Sequence, residues 1–499
     1  MSNIIKKVLL IHPPFTVEDS VHKGAQPPLG LAYLAAVLER EHYEVKIIDS
    51  VIEDYHRNEK IGENRFRYGI SFEALRQKII DFNPDLVGVS CPFTIQYDNA
   101  KEICRISKEC VPGVPVVMGG AHPTSMPEQV MKECCVDVCA IGEADFTFLE
   151  MIRAFENGEG FEKIDGIAFR QGGKVITNPK MKFIEDLDTI PFPARHLLPM
   201  EKYFQLNKPH GISFKRSPNT SIVSSRGCPL TCNFCSIHTL WGRPFRPRSA
   251  ENVMAEIRHL IMEYGIREFH FEDDNLTWSK QRAKKLFQAM VDENLDILWS
   301  TPNGVFSGVL DKELLELMKK SGCYRIILGI ESGSNEVLKN IIGKPQKVEK
   351  MKSLIKVAQK AGLEVGGFFV VGLPGETKGQ IQETLDFART SKLDYAGISV
   401  ATPYPGTKLW EQCQNEGLIK KDLDYNKLFA RSANIETKDF TAQEVSREVS
   451  KESLRFYIKF ALTRPFRFFR IILWRFIRNE PTFFFKFVKD HIMNLFSRA

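Results

Sequence analysis

Three cysteines, Cys228, Cys232 and Cys235, stand in the run Ser224–Cys235 with the spacing C-x3-C-x2-C. A thiolate is a soft, anionic ligand, and iron–sulfur clusters are held by such thiolates. Three of them can occupy three irons of a cubane [4Fe-4S] cluster and leave the fourth iron open. An open metal position is where a reacting molecule can coordinate. The competing reading is zinc. A C-x2-C pair is often half a zinc site, structural zinc wants four ligands, and His238 follows Cys235 by three residues. Chance clustering of core cysteines fits poorly, because Pro229, Thr231 and Asn233 between them do not read as interior.

The motif resembles that of the radical S-adenosylmethionine (SAM) enzymes, in which SAM chelates the open iron and the residue before the third cysteine is usually aromatic, as Phe234 is here. Later stretches extend the resemblance. In Phe271–Asn275 it implies that Glu272, Asp273 and Asp274 hold the SAM ammonium, and a carboxylate accepts hydrogen bonds from a cation; the plainer alternative is a solvated strand end. Leu328–Ser334 matches the family's Gly-x-Glu-Ser run, which implies that Glu331 and Ser332 face the polar end of SAM. A glutamate directly after the apolar run Ile326–Ile330 is costly unless paired. Gly372–Thr377 matches a Gly-Leu-Pro-Gly-Glu-Thr segment, read as mainly structural with the Gly372 backbone near adenine, and Pro403–Thr407 closes the domain in the family's manner.

These motifs need a scaffold. From Thr220 the pattern alternates strand and helix: strands at Ser221–Ser225, Glu268–Glu272, Ile297–Pro302, Tyr324–Glu331, Val365–Val371 and Tyr395–Thr402, with amphipathic helices between them. Six repeats suit a partial (βα)6 barrel over 216–410, whose sites lie at the carboxyl ends of the strands. Upstream, apolar runs at Lys7–His12, Glu44–Asp49, Asp85–Cys91, Val114–Gly120 and Val136–Gly142 alternate with helical stretches, and a hairpin is expected around Gly172–Gly173. This predicts an α/β, doubly wound Rossmann- or flavodoxin-like domain over 1–185. A loop is expected from Pro13 to Gln26. The proline-interrupted Asp186–Pro199 opens a linker over 186–215, and 411–499 is expected to be helical.

No Gly-x-Gly-x-x-Gly follows the first strand, so a dinucleotide is a weak reading. The domain resembles the cobalamin (B12)-binding domain that precedes the catalytic domain in class B radical SAM methylases. The matching residues are Pro27–Leu34, Asp49, Gly119–Thr124 and Ile141–Glu143. The resemblance implies cobalamin contacts at Pro92, Phe93, Thr94, Gly119, Gly120, His122, Gly142 and Glu143. One departure matters: the Asp-x-His-x-x-Gly fingerprint is absent, since the position two before His22 is Ser20. Cobalamin would then bind with its nucleotide tail displaced and no histidine on cobalt, with His122 as an exception or as an ordinary polar loop residue. A flavodoxin-like domain that binds nothing is the alternative.

Composition is that of a globular protein: 43% hydrophobic and 26% charged, with only 11 cysteines in 499 residues. Cysteine usage and the absence of a signal pattern predict a reducing cytoplasm. The net charge of +6 is uneven. Ten Lys or Arg against two Asp or Glu lie between Arg455 and Ala499, which gives that tail +8 and the remainder −2. In Arg464–Arg478 the basic residues fall on one arc and Phe or Ile on the other. The segment is read as interfacial at a membrane, or as an apolar face docked on the barrel with its arginines solvated. Nucleic acid is not expected as a partner, since phosphate contact does not need so many apolar residues.

The resemblance implies an enzyme that cleaves SAM reductively to a 5′-deoxyadenosyl radical, fed by a low-potential reductant such as ferredoxin or flavodoxin, and that methylates an unactivated carbon of a hydrophobic or lipid-like small molecule through methylcobalamin. Tetrapyrrole-cyclase-type radical chemistry shares the architecture. A tRNA methylthiotransferase would want three cluster cysteines in the first domain, where only Cys91 sits at a strand end. A non-catalytic iron–sulfur protein would want a fourth fixed ligand.

Overall fold

The computed structural model describes residues 4–18, 23–62, 64–211, 214–419, 423–425, 428 and 435–473. The chain forms two units: Met1–Lys208 with Ser236–Gly242 and Asp424–Lys427, and Pro209–Cys235 with Arg243–Leu423 and Leu428–Ala499.

The first unit contains β1 (Lys7–His12), β2 (Phe15–Glu18), β3 (Glu44–Asp49), β4 (Asn58–Gly62), β5 (Arg65–Tyr68), β6 (Leu86–Ser90), β7 (Val116–Gly119), β8 (Val138–Ala140), β9 (Ile167–Gln171) and β10 (Lys174–Asn178). Seven of these make one sheet in the order β10–β9–β8–β7–β6–β1–β3. From β3 to β8 all pairings are parallel, and the β9–β10 hairpin adds an antiparallel edge. Parallel strands covered on both faces must be apolar throughout, and Val8–Ile11, Leu86–Val89 and Val116–Met118 are buried without alternation. One face packs Leu9, Ile11, Val87, Val89 and Met118 against Ile103, Ile106 and Val130 of the crossover helices. The doubly wound expectation holds.

Two local expectations do not. Within the expected loop Pro13–Gln26, Phe15–Glu18 is a strand that pairs with β5, and β5 pairs with β4 in a separate three-stranded antiparallel sheet. Its charged strands NEKIG and RFRY lack an apolar face long enough to announce them. The segment expected as a linker carries short turns at Leu187–Thr189 and Arg195–Leu197 and a helix at Met200–Leu206, anchored by buried Leu187, Arg195 and Tyr203. His22 and Ser20 lie outside the described residues.

The second unit contains β11 (Asn219–Ile222), β12 (Ser225–Arg226), β13 (Arg246–Pro247), β14 (Glu268–Phe271), β15 (Leu298–Val305), β16 (Cys323–Glu331), β17 (Glu364–Val371) and β18 (Tyr395–Val400). Six form a parallel sheet in the order β11–β14–β15–β16–β17–β18, each separated from the next by at least one helix, as a partial (βα)6 barrel requires. Helix ends follow local chemistry. Ser249 caps Ala250–Tyr264 through the Asn252 amide, and the helix stops at Gly265 in the left-handed region. Thr377 and Gln380 form a capping box before Lys378–Thr390.

The described part of the tail, to residue 473, lies against the barrel. Helix Ala442–Thr463 packs on the barrel through buried Val445, Val449, Phe456 and Phe460. Beyond it, Arg464 and Arg467 turn inward: the Arg467 guanidinium spans both oxygens of the fully buried Asp394 (2.6 Å each), and Arg464 donates to the Lys392 carbonyl at 2.6 Å. Phe466 is 91% exposed instead. Arg475 and Arg478 lie outside the described residues, and among those residues no helix is long and apolar enough to cross a membrane.

Candidate functional site

Loop 227–235 leaves the carboxyl end of the first barrel strand and is tied down on several sides. Ser225–Arg226 pairs with Arg246–Pro247. The Asn233 amide donates to the Ile342 carbonyl at 3.1 Å, and the Asn233 carbonyl accepts from the Leu409 amide at 2.9 Å. Arg282 donates to the Ser224 carbonyl (2.8 Å) and hydroxyl (3.0 Å) beneath the loop. None of the three cysteines is in a disulfide, and all are of intermediate exposure. Burial pushes Cys232 up to about 11 and raises Cys228 as well. Ligation by a metal would remove that penalty by taking the thiolate form.

Among the described residues, no three His, Cys, Asp or Glu side chains could hold a single metal ion. A cubane makes a different demand, because it spreads its thiolates over three separate irons. Three thiolates on one loop suit that demand. Of the first-unit cysteines, Cys91, Cys104, Cys134 and Cys139 are core residues, while Cys110 is half-buried and Cys135 exposed.

The three consecutive acids after β14 go to three different places. Glu268, His270 and Glu272 share the strand face opposite Phe269 and Phe271. Glu272 accepts from His210 Nδ1 at 2.8 Å and from the Ser221 hydroxyl at 3.1 Å. Burial works against ionisation of both partners, but their mutual bond prevails: the Glu272 carboxyl is lowered and the His210 imidazole raised. Asp273 is fully enclosed. It accepts from the Ser224 amide (3.1 Å), the Ser224 hydroxyl (2.7 Å) and the Ser225 hydroxyl. Asp274 accepts from the Gly227 amide at 3.2 Å, and burial followed by the neighbouring Asp273 charge pushes it up to about 7.

Glu331 sits at a bulge between β16 and β17, with φ of +66°. A non-glycine residue in that region is strained, and such strain clusters at functional sites. Its Oε1 accepts from the buried Lys344 ammonium at 2.8 Å. Ser332 is buried on Thr384, 2.8 Å between hydroxyls. Gly372 has φ of +83°, and a β-carbon there would lie 3.1 Å from Val445, so its glycine answers packing. Phe234 is half-buried. Of the residues assigned to SAM from sequence, Glu331 and Glu272 present carboxylates at strand ends, while Asp273 and Ser332 are spent on scaffold. Lys344 was not foreseen. Its only sequence signal is the Gly343–Lys344–Pro345 stop after an apolar helix.

In the first unit, Pro92–Thr94, Gly119–His122 and Gly142–Glu143 follow β6, β7 and β8, three neighbouring strands, so they share the sheet's carboxyl edge. Phe93 is 57% exposed there. Gly120, with φ of +115°, leaves no room for a side chain: a β-carbon would stand 2.5 Å from the Cys91 carbonyl oxygen. Gly142 donates its amide to Thr124 Oγ1 at 2.9 Å. Two of the expected contacts point inward. Glu143 is buried and accepts from the Ile184 amide at 2.8 Å. His122 is fully buried, 3.4 Å from Thr94 Oγ1, with its ring centroid 4.2 Å from that of Tyr97, and burial lowers its pKa to about 4. An exposed phenyl ring with backbone loops along one edge fits a large, flat ligand.

Comparison with known proteins agrees with both halves. The Radical SAM superfamily model matches residues 222–388 and the B12 binding domain model residues 20–152. An uncharacterized methyltransferase of Pyrococcus horikoshii is 35% identical over 459 residues, covering 91% of this chain and 93% of that protein. Cytidylyl-2-hydroxyethylphosphonate methyltransferase of Streptomyces wedmorensis is 34% identical over 443 residues, 83% of each chain. In fold, the chain is similar to the cobalamin-dependent SAM radical enzyme OxsB, solved with aqua-cobalamin and SAM bound, at a TM-score of 0.71 and 17% identity over 99% of this chain and 75% of that one.

Proposed function

The chain belongs to the B12-binding radical SAM family, and from that membership we propose that it methylates a carbon of a small organic substrate. Cys228, Cys232 and Cys235 hold a [4Fe-4S] cluster, Glu331 meets the polar end of SAM, and the strand-end loops at Pro92–Thr94, Gly119–Gly120 and Gly142 receive cobalamin. When bound, the cluster with SAM supplies a 5′-deoxyadenosyl radical, and cobalamin supplies the methyl donor. The observation that carries the reading is the cysteine loop, pinned by Asn233 and Arg282 beside a strained, buried glutamate.

The chain's own residues position and screen. Arg282 and Asp273 fix the backbone from which the cysteines project. Phe368, 37% exposed on β17 next to Gly304 and Gly397, offers an apolar wall that favours a substrate with an apolar portion. His210, held by Glu272, offers a polar contact. The reductant is a ferredoxin or flavodoxin, and cysteines outside disulfides suit a reducing cytoplasm.

The test is anaerobic reconstitution with iron, sulfide and hydroxocobalamin, repurification, then SAM and dithionite. Retained cobalamin absorbance together with 5′-deoxyadenosine is expected, and each Cys→Ala variant abolishes the nucleoside. 5′-Deoxyadenosine without retained cobalamin removes methylation. Neither signal removes the enzyme reading.

A further inference from the structure

Lys344, two residues after the Ile342 carbonyl that holds the cysteine loop, belongs to none of the motifs read from the sequence. It is 5% exposed, and its Nζ donates to the Gly329 carbonyl at 2.6 Å and to Glu331 Oε1 at 2.8 Å. An ammonium has three donors, so these two acceptors leave one N–H over.

Its placement is built. A π-helix, Val337–Ile342, ends at Gly343 in the left-handed region and turns Lys344 inward. Such helices appear frequently at functional sites. Gln346 then anchors the segment by donating to the carbonyls of Gly329 (3.1 Å) and Ile330 (2.7 Å). Gly329 leaves the space: a β-carbon there would lie 2.7 Å from Lys344 Nζ. The same turn grips the cysteine loop, since the Ile342 carbonyl accepts from Asn233, between Cys232 and Cys235. A β-carbon on Gly343 would lie 3.6 Å from the Thr231 carbonyl oxygen.

The electrostatics agree with that geometry. Burial alone would drive Lys344 toward neutrality, yet the Glu331 carboxylate, then Cys232 and Cys228, outweigh burial and raise it. The buried pair is thus a fixed dipole on the turn that grips the cysteine loop.

We propose that Lys344 and Glu331 set the reduction potential of the cluster held by Cys228, Cys232 and Cys235, the ammonium raising it and the carboxylate lowering it. The inference rests on reading those cysteines as cluster ligands. One electron from a low-potential donor takes [4Fe-4S]2+ to [4Fe-4S]+. With three thiolates the assembly goes from one net negative charge to two, and no proton or bond is exchanged. A buried cation favours the more negative state, and a buried anion opposes it. Lys344 is here a positioning residue for charge.

The experiment is an anaerobic redox titration of the full reconstituted chain without SAM, followed by electron paramagnetic resonance of the reduced cluster, with iron and sulfide measured on each sample. Lys344→Met should lower the midpoint by at least a tenfold change in the reduction equilibrium, 59 mV for one electron. Glu331→Gln should raise it, and Lys344→Arg should stay at the parent value. Shifts of the same sign in Lys344→Met and Glu331→Gln, or no shift in either, overturn the proposal. Should Lys344→Met fail to load iron, Glu331→Gln alone decides: a potential at or below the parent's overturns it. A parent chain that takes up no iron overturns the cluster reading itself, a result distinct from a loaded parent with unmoved variants.

Discussion

Asp273 separates two accounts of the acidic strand end. By resemblance it meets the SAM ammonium; by geometry it lies under the cysteine loop. Its oxygens accept from the Ser224 amide, the Ser224 hydroxyl and the Ser225 hydroxyl, and Arg282 is its nearest compensating cation. Hydrogen bonds to a charged group contribute about 1.5–3 kcal/mol each. Their simple sum overstates the loss, because removing the carboxylate also relieves the cost of burying it, the largest influence on its pKa. Asp273→Ala leaves buried donors of Ser224 and Ser225 without their acceptor, and with each unsatisfied donor costing about 1–3 kcal/mol a loss of about 3 kcal/mol is expected. Asp273→Asn keeps an acceptor and should lose about half.

Two measurements check this. Denaturant unfolding of the apo chain can be followed by tryptophan fluorescence, since Trp299 on the neighbouring strand stacks on Phe287 with centroids 4.9 Å apart. Iron per chain after reconstitution reads the loop. Asp273→Ala should move the transition assigned to the second unit to lower denaturant and cut iron loading. An Asp273→Ala chain that unfolds with the parent, loads iron fully and loses only SAM affinity would falsify the scaffold assignment and return the residue to the SAM site.

Three further outcomes are expected. His122, whose pKa falls from 6.5 to about 4 on burial, binds its proton more readily in the unfolded chain. Stability from this residue is therefore complete above about pH 6.5 and lost as pH falls toward 4, by about 3 kcal/mol in all; His122→Phe should flatten that part of an acid-unfolding curve. Gly120→Ala must place a β-carbon 2.5 Å from the Cys91 carbonyl at φ of +115°, so the first unit should lose upward of about 2 kcal/mol in thermal unfolding. Asp394→Ala leaves Arg464 and Arg467 without their carboxylate, and limited proteolysis should then cut near residue 464 at least tenfold faster than in the parent.

What could be read from the sequence was what is local. The cysteine spacing, the Gly-x-Glu-Ser run and the strand–helix alternation each lie within a dozen residues, and each element appears within a few residues of its expected place. The small sheet of β2, β4 and β5 escaped because β2 lies about fifty residues from its partner β5 and the strands carry mixed charges rather than a clean alternation. The inward turn of Arg464 and Arg467 escaped because it depends on the buried Asp394, about seventy residues earlier. The order Asp186–Pro199 reads as loose because prolines interrupt its period, yet single apolar anchors are enough to fold it.

The acids at 272–274 show why a motif's composition does not assign its contacts. Successive side chains at a strand end point to opposite faces, so three adjacent carboxylates cannot converge on one ligand. Glu272 follows the parity of Glu268 and His270 and meets His210. Asp273 takes the opposite direction and finds the serines under the cysteine loop, and Asp274, past the strand, caps the Gly227 amide. Charge also reaches the loop from elsewhere, from Glu331 at a bulge and Lys344 after a π-helix, both irregularities that redirect a side chain. Regular elements bring the cysteine loop and the strand ends together, whereas the residues that set its electrostatics sit where regularity breaks.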